Sequence, residues 1–330
     1  MIEYKKISLI FPGQGSQYIG MGKDLYDKYE SVKDIYNTAS NKLGYDIKDI
    51  CFKKHILKSF FTDVSLDKTI FTQPAILTTS YACFKALEEE CKENDITLNP
   101  FLLMGHSLGE YTALVVSGAI DFENSLELVK KRATYMSEAG KNCQDGGLTS
   151  ILSRKELNYE NIKKLCNNYE TYIALINTQK QIVVGGPKKR LAALSKDIQK
   201  DDIITKDIRV EGPFHTPIIK SAADKFKKEL INTNMYIAST PVIVNVTARA
   251  IADPEDIKEE LYMQISNTVN WKGSVEKGIN NDVDLFIEIG PKKVLSNMIQ
   301  EINPQIATLN VEDVKSLEKT IKELKSLTFF

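Results

Sequence analysis

Phe101-Leu102-Leu103-Met104-Gly105-His106-Ser107-Leu108-Gly109-Glu110-Tyr111 is the stretch that decides how this chain folds. Four apolar residues suited to a buried strand run into a G-x-S-x-G turn, and a helical stretch follows at once. A strand-to-helix turn this tight needs glycine at its flanks, here Gly105 and Gly109. It also lifts the serine hydroxyl clear at the carboxyl end of the sheet. The helix that follows aims free N–H groups at negative charge forming there, so the Leu108 amide is expected to be one oxyanion donor. An α/β fold with Ser107 as nucleophile is the expectation.

A serine hydroxyl needs a base within hydrogen-bond reach, and the chain holds three histidines. His55 lies in the basic segment Cys51-Phe52-Lys53-Lys54-His55 and reads as a surface residue. His106 adjoins the serine, but on a sharp elbow it should point away from the hydroxyl and serve structure. His215, in Glu211-Gly212-Pro213-Phe214-His215, remains as the base by elimination, against the alternative of a satisfied buried histidine. No carboxylate partner for it is legible, and a backbone carbonyl could orient its ring instead.

Working outward, residues 7–11 form an apolar run that ends in Pro12-Gly13-Gln14-Gly15-Ser16-Gln17. Its glycines allow close backbone approach, and the Gln14 amide could supply a second oxyanion donor. The segment lacks the Gly-Lys-Ser/Thr ending of a P-loop. Helical spacing appears at 31–43, at 72–87 with Pro74 in the first turn, and at 125–136. Arg132 lies on the last of these. It is either an exposed helical arginine or a planar fork that grips a substrate carboxylate. Beyond Gly147 the pattern changes to strands at 148–152, 172–177, 181–185 and 203–210, with helices at 158–168 and 187–199. That β-α-β-β-α-β order predicts a ferredoxin-like unit inserted over about seventy residues. Strands are also predicted at 242–246 and 285–289, and a weakly amphipathic helix at 314–327.

The 330 residues are 42% hydrophobic and 26% charged, which suits a globular protein with an ample core. A net charge of −1 predicts no general attraction to nucleic acid or membrane. Five cysteines, with no C-x-x-C pair, fit a reduced cytoplasmic protein and not a disulfide framework. The first residues lack the features of a signal peptide, and no apolar run reaches the length of a membrane span. No metal-ligand pattern and no cofactor are expected.

Five motifs occur in family order: Phe11-Pro12-Gly13-Gln14-Gly15-Ser16-Gln17, Thr72-Gln73-Pro74-Ala75, Gly105-His106-Ser107-Leu108-Gly109-Glu110-Tyr111, Gly212-Pro213-Phe214-His215 and Glu288-Ile289-Gly290-Pro291. On these the chain resembles malonyl-CoA:acyl-carrier-protein transacylases and the trans-acting acyltransferases of polyketide synthases, over roughly residues 7–300. The resemblance implies an α/β-hydrolase-like large domain, residues 1–136 and 211–330, with a ferredoxin-like small domain at 137–210. It implies malonyl transfer from malonyl-CoA to the phosphopantetheine thiol of an acyl carrier protein, in fatty acid or polyketide biosynthesis, through an ester on Ser107. It further implies a monomer, with His215 as base, Gln14 and Leu108 as oxyanion amides and Arg132 as carboxylate anchor. Gln264 matches the position whose backbone carbonyl orients the catalytic histidine. Gln73 and Asn177 match pocket positions, and Phe214 looks like the malonyl-type residue before the histidine. Pro213, where alanine is commoner, and Thr268, where proline is usual, depart from the pattern near the site.

Three rival readings stand beside this one. A hydrolase of the same fold would clear acyl groups from carrier proteins, but such enzymes usually lack the arginine. An ordinary esterase would carry its histidine near the C-terminus, and none follows His215. A non-catalytic docking module would show a decayed site, whereas the serine, the histidine and both glycine turns are present.

Overall fold

The computed structural model describes residues 6–53, 65–143, 145–199 and 202–327, so His55 lies outside the described residues. Among these, ten strands run in chain order: β1 (Ile7–Phe11), β2 (Leu102–Gly105), β3 (Gly146–Ser153), β4 (Tyr172–Thr178), β5 (Gln181–Pro187), β6 (Ile203–Ile208), β7 (Val242–Ile243), β8 (Ala250–Ile251), β9 (Leu285–Ile289) and β10 (Ala307–Val311).

Six strands form one sheet in the order β10-β9-β1-β2-β7-β8. All its pairs are parallel except β7 with β8. β1, β2 and β9 are covered on both faces, which is why they read as mostly apolar runs rather than alternating ones, with Ser8 and Glu288 as buried polar exceptions. β1 and β2 lie side by side with Phe11 opposite Gly105, so the two glycine turns that follow them emerge at the same sheet edge. Open parallel sheets place their sites at this carboxyl edge.

The other four strands form an antiparallel sheet, β4-β5-β3-β6, in the predicted ferredoxin-like order. Period-2 alternation divides its side chains. Ile151, Ile182 and Val184 pack under the helices Tyr159–Asn168 and Lys188–Ile198, while Leu148, Ala174 and Val183 form a separate apolar cluster. The four-stranded sheet is tied by backbone to the segment that leads into the helix Trp271–Ile279. The outer edge of β4 pairs in parallel with residues 268–270: the Val269 amide donates to the Ala174 carbonyl at 2.9 Å, and the Ile176 amide to the Val269 carbonyl at 2.9 Å. Thr268, the departure noted in the sequence, adds a hydroxyl bond to the Ile173 carbonyl at 2.7 Å.

Two sequence expectations are corrected, and one strand was not foreseen. Pro74 is not in a first turn; the helix Thr69–Glu93 starts five residues earlier and carries the proline inside it. The Ile70 carbonyl therefore loses its usual amide donor, a cost borne because every side chain from Thr72 to Ser80 is buried. The strand expected at 242–246 stops at Ile243, because the next amides turn to other partners: Val244 to the Arg249 carbonyl, and Asn245 and Val246 to the carboxylates of Glu110 and Glu260. β10 was not foreseen, since Ala307-Thr308-Leu309-Asn310-Val311 mixes polar and apolar residues on a sheet edge.

Candidate active site

The site begins with the turn after β2. A Cβ on Gly105 would sit 2.0 Å from the Gly109 carbonyl carbon, and one on Gly109 would sit 1.9 Å from the Phe11 carbonyl oxygen. No side chain fits at either position. Compressed between them, Ser107 adopts φ 51°, a left-handed conformation that costs a serine about 1–3 kcal/mol. Its backbone is held on both sides: the Ser107 amide donates to Asn245 Oδ1 at 2.6 Å, and Gln264 Nε2 donates to the Ser107 carbonyl at 3.0 Å.

His215 reaches the serine from 108 residues away and has a left-handed backbone too, φ 60°. Its Nε2 lies 2.8 Å from Ser107 Oγ and its Nδ1 lies 2.7 Å from the Gln264 carbonyl oxygen. A carbonyl accepts only, so Nδ1 carries the proton and Nε2 is left as the acceptor for the serine proton. Burial, and after it the positive charge of Arg132, lowers the His215 pKa from 6.5 to about 3. The imidazole is neutral at physiological pH, as a base must be.

Arg132 is not an exposed helical arginine; it is 1% exposed. Nη1 donates to Gln73 Oε1 at 2.6 Å, and Nη2 to Gln264 Oε1 at 2.8 Å and to Ser107 Oγ at 3.1 Å. The guanidinium lies 5.3 Å from the centre of the Tyr111 ring, and its Nε has no partner among the described residues. Every direct partner is a neutral oxygen. A buried cation without a bonded carboxylate is a site ready for an anion.

Among the described residues the amides of Ser107, Gly109, Glu110 and Tyr111 each find an acceptor, whereas those of Leu108 and Gln14 do not. The Gln14 side chain bonds Thr69 Oγ1 at 3.3 Å. Gln14, Gln73, Ser107, Leu108, Arg132 and His215 all line one cavity of about 210 Å³ between the two sheets, as do Asn177 and Phe214. Leu148, Leu175 and Val183 supply its apolar wall from the four-stranded sheet, and Met298 closes it from the helix Val294–Ile302. Gln264 sits behind these residues, fully buried.

His106 also lines the cavity, with Nε2 on Asn177 Oδ1 at 3.0 Å, and burial lowers its pKa. Its ring is thus turned from the serine hydroxyl but not from the cleft. Sequence reasoning missed Asn245 and Glu110. Glu110 Oε2 accepts from the Asn245 amide, while Oε1 has no donor among the described residues. Burial first, then the charge of Glu260, pushes the Glu110 pKa up to about 8. Glu110 could have been suspected from its place in the Gly105–Tyr111 motif; Asn245 carries no sequence signal.

A hydroxyl with a neutral imidazole on one side and a guanidinium on the other is equipped to attack an acyl carbon and to hold an acidic tail. Among the described residues no cluster of His, Cys, Asp and Glu could hold a metal ion, and no helix is long and apolar enough to cross a membrane. All five cysteines are unpaired.

Comparison with known proteins gives one consistent result. A family model described as the acyl transferase domain matches residues 8–330. The malonyl CoA-acyl carrier protein transacylase of Bacillus subtilis strain 168 is 36% identical over 327 residues, 97% of this chain and 98% of that protein. The solved transacylase of the same description from Clostridium perfringens superposes with a TM-score of 0.87 at 35% identity, covering 98% of each chain. A malonyl-transacylase solved in complex with a type II PKS acyl-carrier protein gives 0.86 at 30% identity, covering 97% of this chain and all of that one.

Proposed function

This chain belongs to the acyl transferase domain family, and on that premise we propose that it moves a malonyl group from malonyl-CoA to the phosphopantetheine thiol of an acyl carrier protein. The transfer serves fatty acid or polyketide biosynthesis. Ser107 is the nucleophile and His215 the base. The observation that carries this assignment is the pair of contacts on one oxygen: Ser107 Oγ lies 2.8 Å from His215 Nε2 and 3.1 Å from Arg132 Nη2.

His215 Nε2 takes the serine proton as Oγ attacks the thioester carbon, and the Gln14 and Leu108 amides receive the oxyanion. Each such donor is worth about 3 kcal/mol of transition-state stabilisation. The proton passes to the leaving CoA sulfur, which leaves malonyl-Ser107. A malonyl ester carries its carboxylate two carbons from the ester carbon, so it can fold onto the guanidinium of Arg132. The carrier thiol then gives its proton to His215, attacks the ester, and Ser107 regains the proton on departure. Residues 137–210 act as the small domain over the cleft, and 1–136 with 211–330 form the catalytic domain. The relatives' names favour transfer over hydrolysis.

Incubation with malonyl-CoA followed by intact-mass and peptide analysis tests the proposal. Wild type should gain one malonyl group on Ser107 and pass it to holo carrier protein, and Ser107→Ala should gain none. A Ser107→Ala variant that still transfers malonyl refutes the assignment.

A further inference from the structure

We propose that Asn245 is a positioning residue for this reaction, whose carboxamide clips the two arms of the serine turn together and so holds Ser107 in its left-handed conformation. Its meaning depends on Ser107 being the nucleophile, as proposed above.

Asn245 is fully buried and does not line the cavity, so it touches no substrate. Its side chain nonetheless spends both polar atoms on the turn. Oδ1 accepts from the Ser107 amide at 2.6 Å and Nδ2 donates to the Gly105 carbonyl at 2.7 Å. These are the last carbonyl of β2 and the first amide after His106, the two groups that a strand-to-helix reversal would otherwise leave without partners. One planar carboxamide thus closes a ring across the bend. Asparagine suits this place because it carries a donor and an acceptor on one rigid plane.

The clip is itself anchored. The Asn245 amide donates to Glu110 Oε2 at 2.8 Å, and the Asn245 carbonyl accepts from the Asn270 amide at 2.7 Å. Because β7 ends at Ile243, the chain is free to turn Asn245 inward under the elbow. On the far side of Ser107, Gln264 Nε2 grips the Ser107 carbonyl. That carbonyl and the Leu108 amide belong to one peptide plane, so the grip also aims the Leu108 N–H. The peptide planes before and after Ser107 are therefore each fixed by a side-chain amide. Gln264 carries a double duty, since its own carbonyl holds His215. Asn245 has no second contact with the base or the arginine, which makes its effect separable.

Without the clip the strained Ser107 backbone can relax toward an unstrained region and swing Oγ away from His215 Nε2. Misplacement of a reacting group by about 1 Å costs on the order of 100-fold. Binding of malonyl-CoA, whose carboxylate meets Arg132 and not Asn245, should change little.

Asn245→Ala and Asn245→Asp are compared with wild type in the transfer assay. Rates are normalised to the fraction of chains that become acylated, so that misfolded protein drops out. Asn245→Ala should lower kcat about 10- to 100-fold with KM for malonyl-CoA within about twofold. Asn245→Asp keeps the acceptor for the Ser107 amide and should fall between the two. Unchanged kcat in either soluble variant, or a rise in KM at unchanged kcat, overturns the proposal. If Asn245→Ala fails to fold, Asn245→Asp alone decides by the same criteria. Absence of a Ser107 adduct in wild type would instead defeat the function proposed above.

Discussion

Replacing Arg132 by methionine removes the guanidinium while keeping an unbranched chain of similar length in a buried place. In wild type the guanidinium is 1% exposed and its direct partners are the neutral oxygens of Gln73, Gln264 and Ser107. A malonyl carboxylate brought into Arg132→Met would be buried without a cation. Leaving one charge of a buried pair alone costs about 3–5 kcal/mol, or roughly 150- to 5,000-fold in rate. Other consequences of the substitution, a lost contact to Ser107 Oγ and a lost positive charge beside His215, act on every acyl donor alike. They cancel in a ratio. The quantity to measure is therefore kcat/KM for malonyl-CoA divided by that for acetyl-CoA, which has the same thioester and no carboxylate. With CoA release followed for both donors, the ratio should fall by at least 100-fold. A ratio within about threefold of wild type would mean that the carboxylate does not meet Arg132, and the reasoning would fail.

Two further outcomes follow from buried titrating groups. The His215 pKa is lowered to about 3, so the base stays neutral far below pH 6.5, and kcat/KM should show no acid limb between pH 5 and 7. In Arg132→Met the second cause of the depression is gone and the limb should move upward; a wild-type limb centred near 6.5 would contradict the burial of the imidazole. Glu110 is raised from 4.5 to about 8, so the folded state holds a proton that the unfolded chain releases above pH 4.5. Its contribution is present below that value and lost as pH rises toward 8. Glu110→Gln should therefore gain in urea-unfolding stability relative to wild type at pH 8, with the gain gone by pH 4.5. An equal difference at both values would remove the ionisation as its cause.

Local pattern made much of the fold legible. β1 and β2 are buried on both faces, and buried parallel strands announce themselves as apolar runs ending in glycine. The four-stranded sheet was legible because its strands and helices alternate with two distinct periods. What local pattern does not carry is burial decided by other elements. Nothing in Val129-Lys130-Lys131-Arg132 distinguishes the one buried cation from its exposed neighbours, since its partners Gln73 and Gln264 lie 59 and 132 residues away. Pro74 misled for a related reason: proline marks helix starts on average, and here tertiary packing of the helix Thr69–Glu93 overrode that tendency. Asn245 was invisible because its function lies in two hydrogen bonds across 138 and 140 residues of chain.

The backbone ladder between β4 and residues 268–270 bears on any attempt to exchange the four-stranded sheet between relatives. A graft chosen by its own fold would still have to present an edge whose carbonyls and amides meet Val269 in step. Slippage by a single position would rotate Leu175 and Asn177 out of the cleft and bring their neighbours in. Donor selectivity in such chimeras would then change through the seam, even with every residue of the acyl pocket left as it was.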